Sequence, residues 1–142
     1  MNGFEVYYVA TSLNDAKRAI LAAKSANLNL GSASFASYSL DLKAILWDML
    51  YAYDRAESIQ LARDICKSVD KNMDVRVIGV KDARYEVLRG ARIPAILIEI
   101  GFVSNPSEER MLKNGFYRQK IAESIMSGLS DYAQGLALAE AV

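Results

Sequence analysis

Two periods of hydrophobic and polar positions alternate along this chain. Phe4 to Ala10 is rich in Val, Tyr and Phe, and predicts a strand. The run Ser12 to Asp15 resembles a capping box: the serine side chain accepts from exposed backbone N–H groups, and Asp15 complements the positive end of a helix. That helix is predicted to run to about Ala26, with Ala16, Ala19, Ile20 and Ala23 on one side. Residues 27–39 carry Gly31 and several serines without periodicity, a loop long enough to suggest a place near a site. Leu42, Ile45, Leu46, Met49, Leu50 and Tyr53 then form a helical stripe, read as core. Ala56, Ile59, Ala62, Ile65, Cys66 and Val69 form another after a change of phase at Asp54, which predicts two helices or one kinked helix.

Val75 to Val80 predicts a second strand, and KDARYEVLRGAR a short strand or a turn of helix. Ala95 to Ile100 is the strongest strand; its nearly continuous apolar run suits burial on both faces of a parallel sheet. At Asn105 to Glu108 asparagine caps, proline takes the first helical position and glutamate reaches back. After a break at Asn114 and Gly115, a closing helix presents Phe116, Ile121, Ile125, Leu129, Tyr132 and Leu136, and the Ala-rich end, residues 133–142, is expected to fray. Strands alternating with helices predict an α/β layer fold with a mixed, mainly parallel sheet flanked by helices.

Composition narrows the chemistry. With 142 residues, 52% hydrophobic and 24% charged, the chain suits one globular domain. Its 17 basic and 17 acidic residues argue against a nucleic-acid partner, which calls for a basic stripe. No apolar run approaches the roughly 20 residues of a membrane span, and no signal peptide opens the chain. The single cysteine, Cys66, falls on an apolar helical face and reads as core. The chain has no histidine, which removes Ser-His-Asp and Cys-His catalysis and any ordinary tetrahedral zinc site made from these residues alone.

One residue does not fit its surroundings. Glu99 ends the apolar run AILIEIGF, and burying an ionised carboxylate is costly unless it is paired or coordinated. Two readings follow. At the carboxyl end of a strand in an open α/β sheet, where ligands bind, Glu99 would be a general base. Alternatively it is a salt-bridge partner of Lys81, Arg84, Arg89 or Arg92. The basic excess from Arg76 to Arg92 suits an acidic ligand or, more simply, a solvated face. Asp41 and Asp48 share a helical face but lack the further oxygen ligands a hard cation needs.

The stretch GVKDARYEVLRGARIPAILIEIGFVSNPSEERML, residues 79–112, resembles the C-terminal half of the zinc-dependent N-acetylmuramoyl-L-alanine amidases that cleave peptidoglycan. The similarity extends outward to GFEVYY, to AILWDML and ESIQLA, and to GLSDY, covering about Gly3 to Tyr132. It implies a phosphorylase/hydrolase-like fold and a Zn2+ ion held by two histidines and a glutamate from the front of the domain. It also implies that Glu99 is the catalytic carboxylate; near it, Lys81 is a weaker candidate for substrate contact. Tyr85 stands where the family usually has phenylalanine.

The family's zinc ligands lie N-terminal to the EVYY strand, so residues 1–142 are expected to be the C-terminal portion of one catalytic domain and to bind no zinc alone. A truncation, one piece of a split protein and a degenerate homologue are the three accounts, of which truncation is favoured. The resemblance implies a peptidoglycan hydrolase working outside the cytoplasm; without the front strands, an exposed sheet edge and uncovered apolar faces are expected to favour self-association. The alternative is a non-catalytic cell-wall-binding or regulatory module with an amidase-like fold.

Overall fold

The computed structural model describes residues 1–11, 15–25 and 38–140. Its elements in chain order are β1 (Phe4–Val9), α1 (Asp15–Ser25), α2 (Leu40–Asn72), β2 (Val77–Ala83), α3 (Glu86–Arg89), β3 (Ile96–Glu99), α4 (Pro106–Lys113) and α5 (Gly115–Glu140). The strands form one mixed sheet in the order β2-β1-β3, with β1 parallel to β2 and antiparallel to β3.

Alternation along β1 sorts the sheet into two unlike faces. Phe4 and Val6 point to one side, joined by Val77 and Val80 of β2 and by Ile96 and Ile98 of β3. This face packs on Leu61, Ala62, Ile65 and Val69 of α2, with Ile121 and Tyr132 of α5 in the same core. Each fully buried aliphatic side chain there contributes about 1.5–3 kcal/mol. The opposite face carries Glu5, Tyr7, Gly79, Lys81, Leu97 and Glu99.

Local sequence explains how the elements begin and join. Ser39 caps α2 by accepting from Leu42 N. Gly3 has φ +124°, and a Cβ there would lie 2.5 Å from Arg76 O, so only glycine lets β1 start this close to β2. Asn105 caps α4 by accepting from Ser107 N and Glu108 N. The Glu108 carboxylate does not turn back to its own cap; it accepts from Gly3 N at 2.7 Å and Phe102 N at 2.8 Å, tying the start of β1 to the exit from β3. Asn114 ends α4, and its side chain accepts from Phe116 N and Tyr117 N to open α5.

Several expectations change. The stretch expected to hold two helices or a kink forms as one 33-residue helix, α2. Its first stripe is not core throughout: Ile45 and Met49 are 57% and 63% exposed, with Leu42 and Tyr53 also exposed. Only Leu46 and Leu50, with Trp47 and Tyr51, turn toward Ala19, Ala22 and Ala23 of α1. A short helix of small alanines covers too little of a long partner to bury its whole apolar side. On α1 itself Ala16 and Ile20 face solvent. On α5 Phe116 and Leu129 are exposed although the stripe through Ile121, Ile125, Tyr132 and Leu136 joins the core.

β3 is neither parallel nor buried on both faces; it runs antiparallel to β1 and is half-buried throughout. The KDARYEVLRGAR stretch contributes the end of β2 and the single turn α3. Cys66 is buried as expected, and burial, with the Asp70 charge second, pushes its thiol up to about 11. The capping run at 12–14 and the loop at 27–37 lie outside the described residues. α5 runs to Glu140, and residues 141–142 lie outside the described residues.

Candidate active site

The apolar pattern that builds the core also creates the site on the other face. Because β1 is central, Glu5 has β2 on one side and β3 on the other, and its direct cross-strand partner on β3 is Glu99. Glu5 is 0% exposed, the most deeply buried charged residue described.

Its charge is met by two donors. Lys81 Nζ donates to Glu5 Oε2 at 2.5 Å, and the Tyr7 hydroxyl donates to Oε1 at 2.7 Å. Burial pushes the Glu5 carboxyl up, but the bonds from Lys81 and Tyr7 outweigh it and hold the group below its ordinary value. The same bond to Glu5, with burial second, raises the Tyr7 hydroxyl, so Tyr7 stays a donor.

Glu99 is held differently. Its Oε1 accepts from the Tyr85 hydroxyl at 3.3 Å, and the Tyr85 ring meets Tyr7 edge to face at 5.2 Å between centroids. Among the described residues, no ion pair involves Glu99. Of the basic residues put forward as its partners, Lys81 pairs with Glu5, Arg89 with Glu86, and Arg92 lies over the Trp47 ring, while Arg84 makes no ion pair with Glu99. The salt-bridge explanation of Glu99 therefore finds no support in the geometry.

Its placement also departs from the open-sheet rule. Because β3 is antiparallel, Glu99 ends β3 beside the amino-terminal part of β1, not at a shared carboxyl edge. Glu5, Tyr7 and Tyr85 were not singled out as site residues by their sequence. Glu5 carried the same signal as Glu99, a carboxylate between apolar neighbours in a strand, and the same burial argument would have found it.

Among the described residues no cluster of three or more histidine, cysteine, aspartate or glutamate side chains is placed to hold a metal ion. Both Glu5 oxygens already accept from Lys81 and Tyr7. These residues do not fit a zinc centre by themselves. Asp41 and Asp48 are exposed on α2. No described helix is long and apolar enough to cross a membrane.

A mixed α/β layer, on one face of which Glu99, without an ion pair among the described residues, stands beside Glu5, which is paired with Lys81, defines an α/β domain with a carboxylate-centred candidate site. The chain belongs to the N-acetylmuramoyl-L-alanine amidase family, which it matches over residues 1–131. It is 35% identical over 95 residues to the N-acetylmuramoyl-L-alanine amidase AmiC of Escherichia coli, which covers 66% of this chain and 23% of that protein. It is 35% identical over 79 residues to the probable cell wall amidase LytH of Staphylococcus epidermidis, covering 56% of this chain and 26% of LytH. The fold is similar to that of an N-acetylmuramoyl-L-alanine amidase from Clostridium difficile, with a TM-score of 0.61 at 24% identity, over 94% of this chain and 50% of the other. The chain thus spans about a quarter of the length of these two curated relatives and half of the solved chain.

Proposed function

We propose that this chain is the C-terminal portion of the catalytic domain of a peptidoglycan hydrolase. The bond cleaved is the amide between N-acetylmuramic acid and the L-alanine of the stem peptide. The reading takes Zn2+ as cofactor, held by residues outside this chain, and places the parent protein outside the cytoplasm. The observation that carries it is Glu99, a half-buried carboxylate on the sheet face opposite the core, with no cation paired to it among the described residues, in a chain of this family.

A glutamate so placed accepts a proton from the attacking water and returns it to the leaving amine. Tyr85 holds one of its oxygens through the bond to Oε1, while Oε2 has no donor among the described residues. Lys81 is proposed as a substrate contact only through N–H bonds that Glu5 does not take. Self-association through an exposed sheet edge belongs to the same reading.

The test is peptidoglycan hydrolysis with added Zn2+, on this chain and on this chain joined to a relative's front segment supplying two histidines and a glutamate. The expected result is cleavage by the joined protein alone, reduced by about 10²–10⁴-fold in Glu99→Gln. Cleavage by the 142-residue chain alone would show that the metal ligands are wrongly assigned outside it. Wall binding without cleavage by the joined protein would replace the enzyme with a binding module.

A further inference from the structure

A proton acceptor on this sheet face has to avoid a standing bond to a cation. Among the strand residues of the face, Lys81 is the only cation, and Glu5 stands between it and Glu99 on the central strand. Adjacent strands lie about 4.8 Å apart, and Lys81, level with Tyr7, is offset by two residues from Glu99, level with Glu5, so their Cα atoms are roughly 12 Å apart, close to the combined reach of a lysine and a glutamate side chain. Geometry alone would therefore let Lys81 cap Glu99. In the structure it does not: the ammonium is drawn onto Glu5 Oε2.

The two glutamates are treated unequally. Both Glu5 oxygens are filled, one by Lys81 and one by Tyr7, and the side chain is sealed from solvent. Glu99 receives one long bond, from Tyr85, and keeps its other oxygen without a donor among the described residues. A buried carboxylate is an expensive way to fill space, since a similarly sized apolar side chain packs there without desolvating a charge. What Glu5 supplies that an apolar residue cannot is a competitor for the ammonium.

We propose that Glu5 is a positioning residue that sequesters Lys81 and so leaves Glu99 free to exchange a proton with substrate, an inference that rests on Glu99 being the base. Without Glu5, Lys81 transfers to Glu99 and fills the oxygen the chemistry needs. A purely structural role for the Glu5–Lys81 pair makes the opposite forecast, because loss of Glu5 then sets Lys81 free.

Amine acetylation with an N-hydroxysuccinimide ester, read at Lys81 by mass spectrometry on the 142-residue chain, separates the two. Circular dichroism would first confirm that each variant is folded. In Glu5→Gln, Lys81 is expected to label as slowly as in the unmodified chain, now held by Glu99. In the double variant Glu5→Gln/Glu99→Gln it is expected to label about fivefold faster, the factor that a partly exposed ion pair of about 1 kcal/mol represents. Equally fast labelling of the single and double variants would overturn the proposal.

Should Glu5→Gln fail to fold, NMR of the unmodified chain with 15N-labelled lysine decides. A coupling across the hydrogen bond from Lys81 Nζ to the Glu5 carboxyl carbon is expected, and one to Glu99 would overturn it. Neither readout needs hydrolysis, so this inference and the assignment of Glu99 as base fail separately.

Discussion

The Glu5–Lys81 pair makes a residue-scale prediction that pH reveals. The folded-state Glu5 carboxyl is held below its unfolded value of about 4.3. Its contribution to stability is therefore fully present above that pH and is lost as pH falls through the lower folded value. Lys81→Met removes the cation and leaves burial dominant, so the variant folds with a carboxylate that resists ionisation. Breaking a buried pair from one side costs about 3–5 kcal/mol, but the Lys81 side chain is 43% exposed and screened by water, which lowers the expectation to about 2 kcal/mol at pH 7. The gap between the two chains should narrow as pH drops from 6 to 3, in thermal melts followed by circular dichroism.

Asp54, raised by burial and with Oδ2 lacking a partner, titrates in the opposite sense but is common to both chains. A gap that stays constant with pH would remove Glu5 as the group involved. At this scale the sequence exposed Glu99, because a charge inside an apolar run is visible without a fold. The partners of Glu99 were hidden, because Glu5 neighbours it only through an antiparallel register and Tyr85 only through a hydroxyl bond from a turn between strands.

At the scale of elements, the seam between α2 and α5 depends on one position. Gly128 is buried where α5 crosses α2, and a Cβ there would lie 2.6 Å from Ile65 Cα and 2.9 Å from Asp64 O. Nearby, Ser68 Oγ donates to Ser124 O at 2.8 Å across the same seam. Gly128→Ala gains about 1 kcal/mol of helix propensity, yet the obstructing atoms are backbone and cannot rotate aside. Overpacking wins, and a net loss of about 2 kcal/mol is expected in urea unfolding. Unchanged or increased stability would mean that the helices separate at no cost.

The helices and strands were largely legible from periodicity, and the asparagine cap of α4 from its motif. The direction of β3 was not. A continuous apolar run records only that both faces meet nonpolar groups, and four half-buried residues on an antiparallel edge strand satisfy that as well as a central parallel strand does. The exposure of Ile45 and Met49 was equally out of reach, since a stripe shows that a helix has an apolar side, not what covers it.

For the molecule as a whole, the described fold leaves much apolar surface and two sheet edges uncovered. Among the described residues β2 and β3 pair only with β1, so each presents an unpaired edge. Val87, Ile93 and Val103 are exposed around the segments that flank β3. Unpaired strand edges beside apolar surface are templates for association, and no proline or lysine lies within β3 to blunt it. The exposed stripe of α2 is a competing source of contact, lying on a different element. The chain is expected to self-associate in sedimentation velocity, and Ile45→Glu/Met49→Glu should not abolish this if the sheet edge is responsible. Joining a relative's front segment should return the protein to a monomer where that segment covers the exposed edge. A monomeric profile for the unmodified chain would contradict the expectation outright, and loss of association in the α2 variant would move the contact from the sheet to the helix.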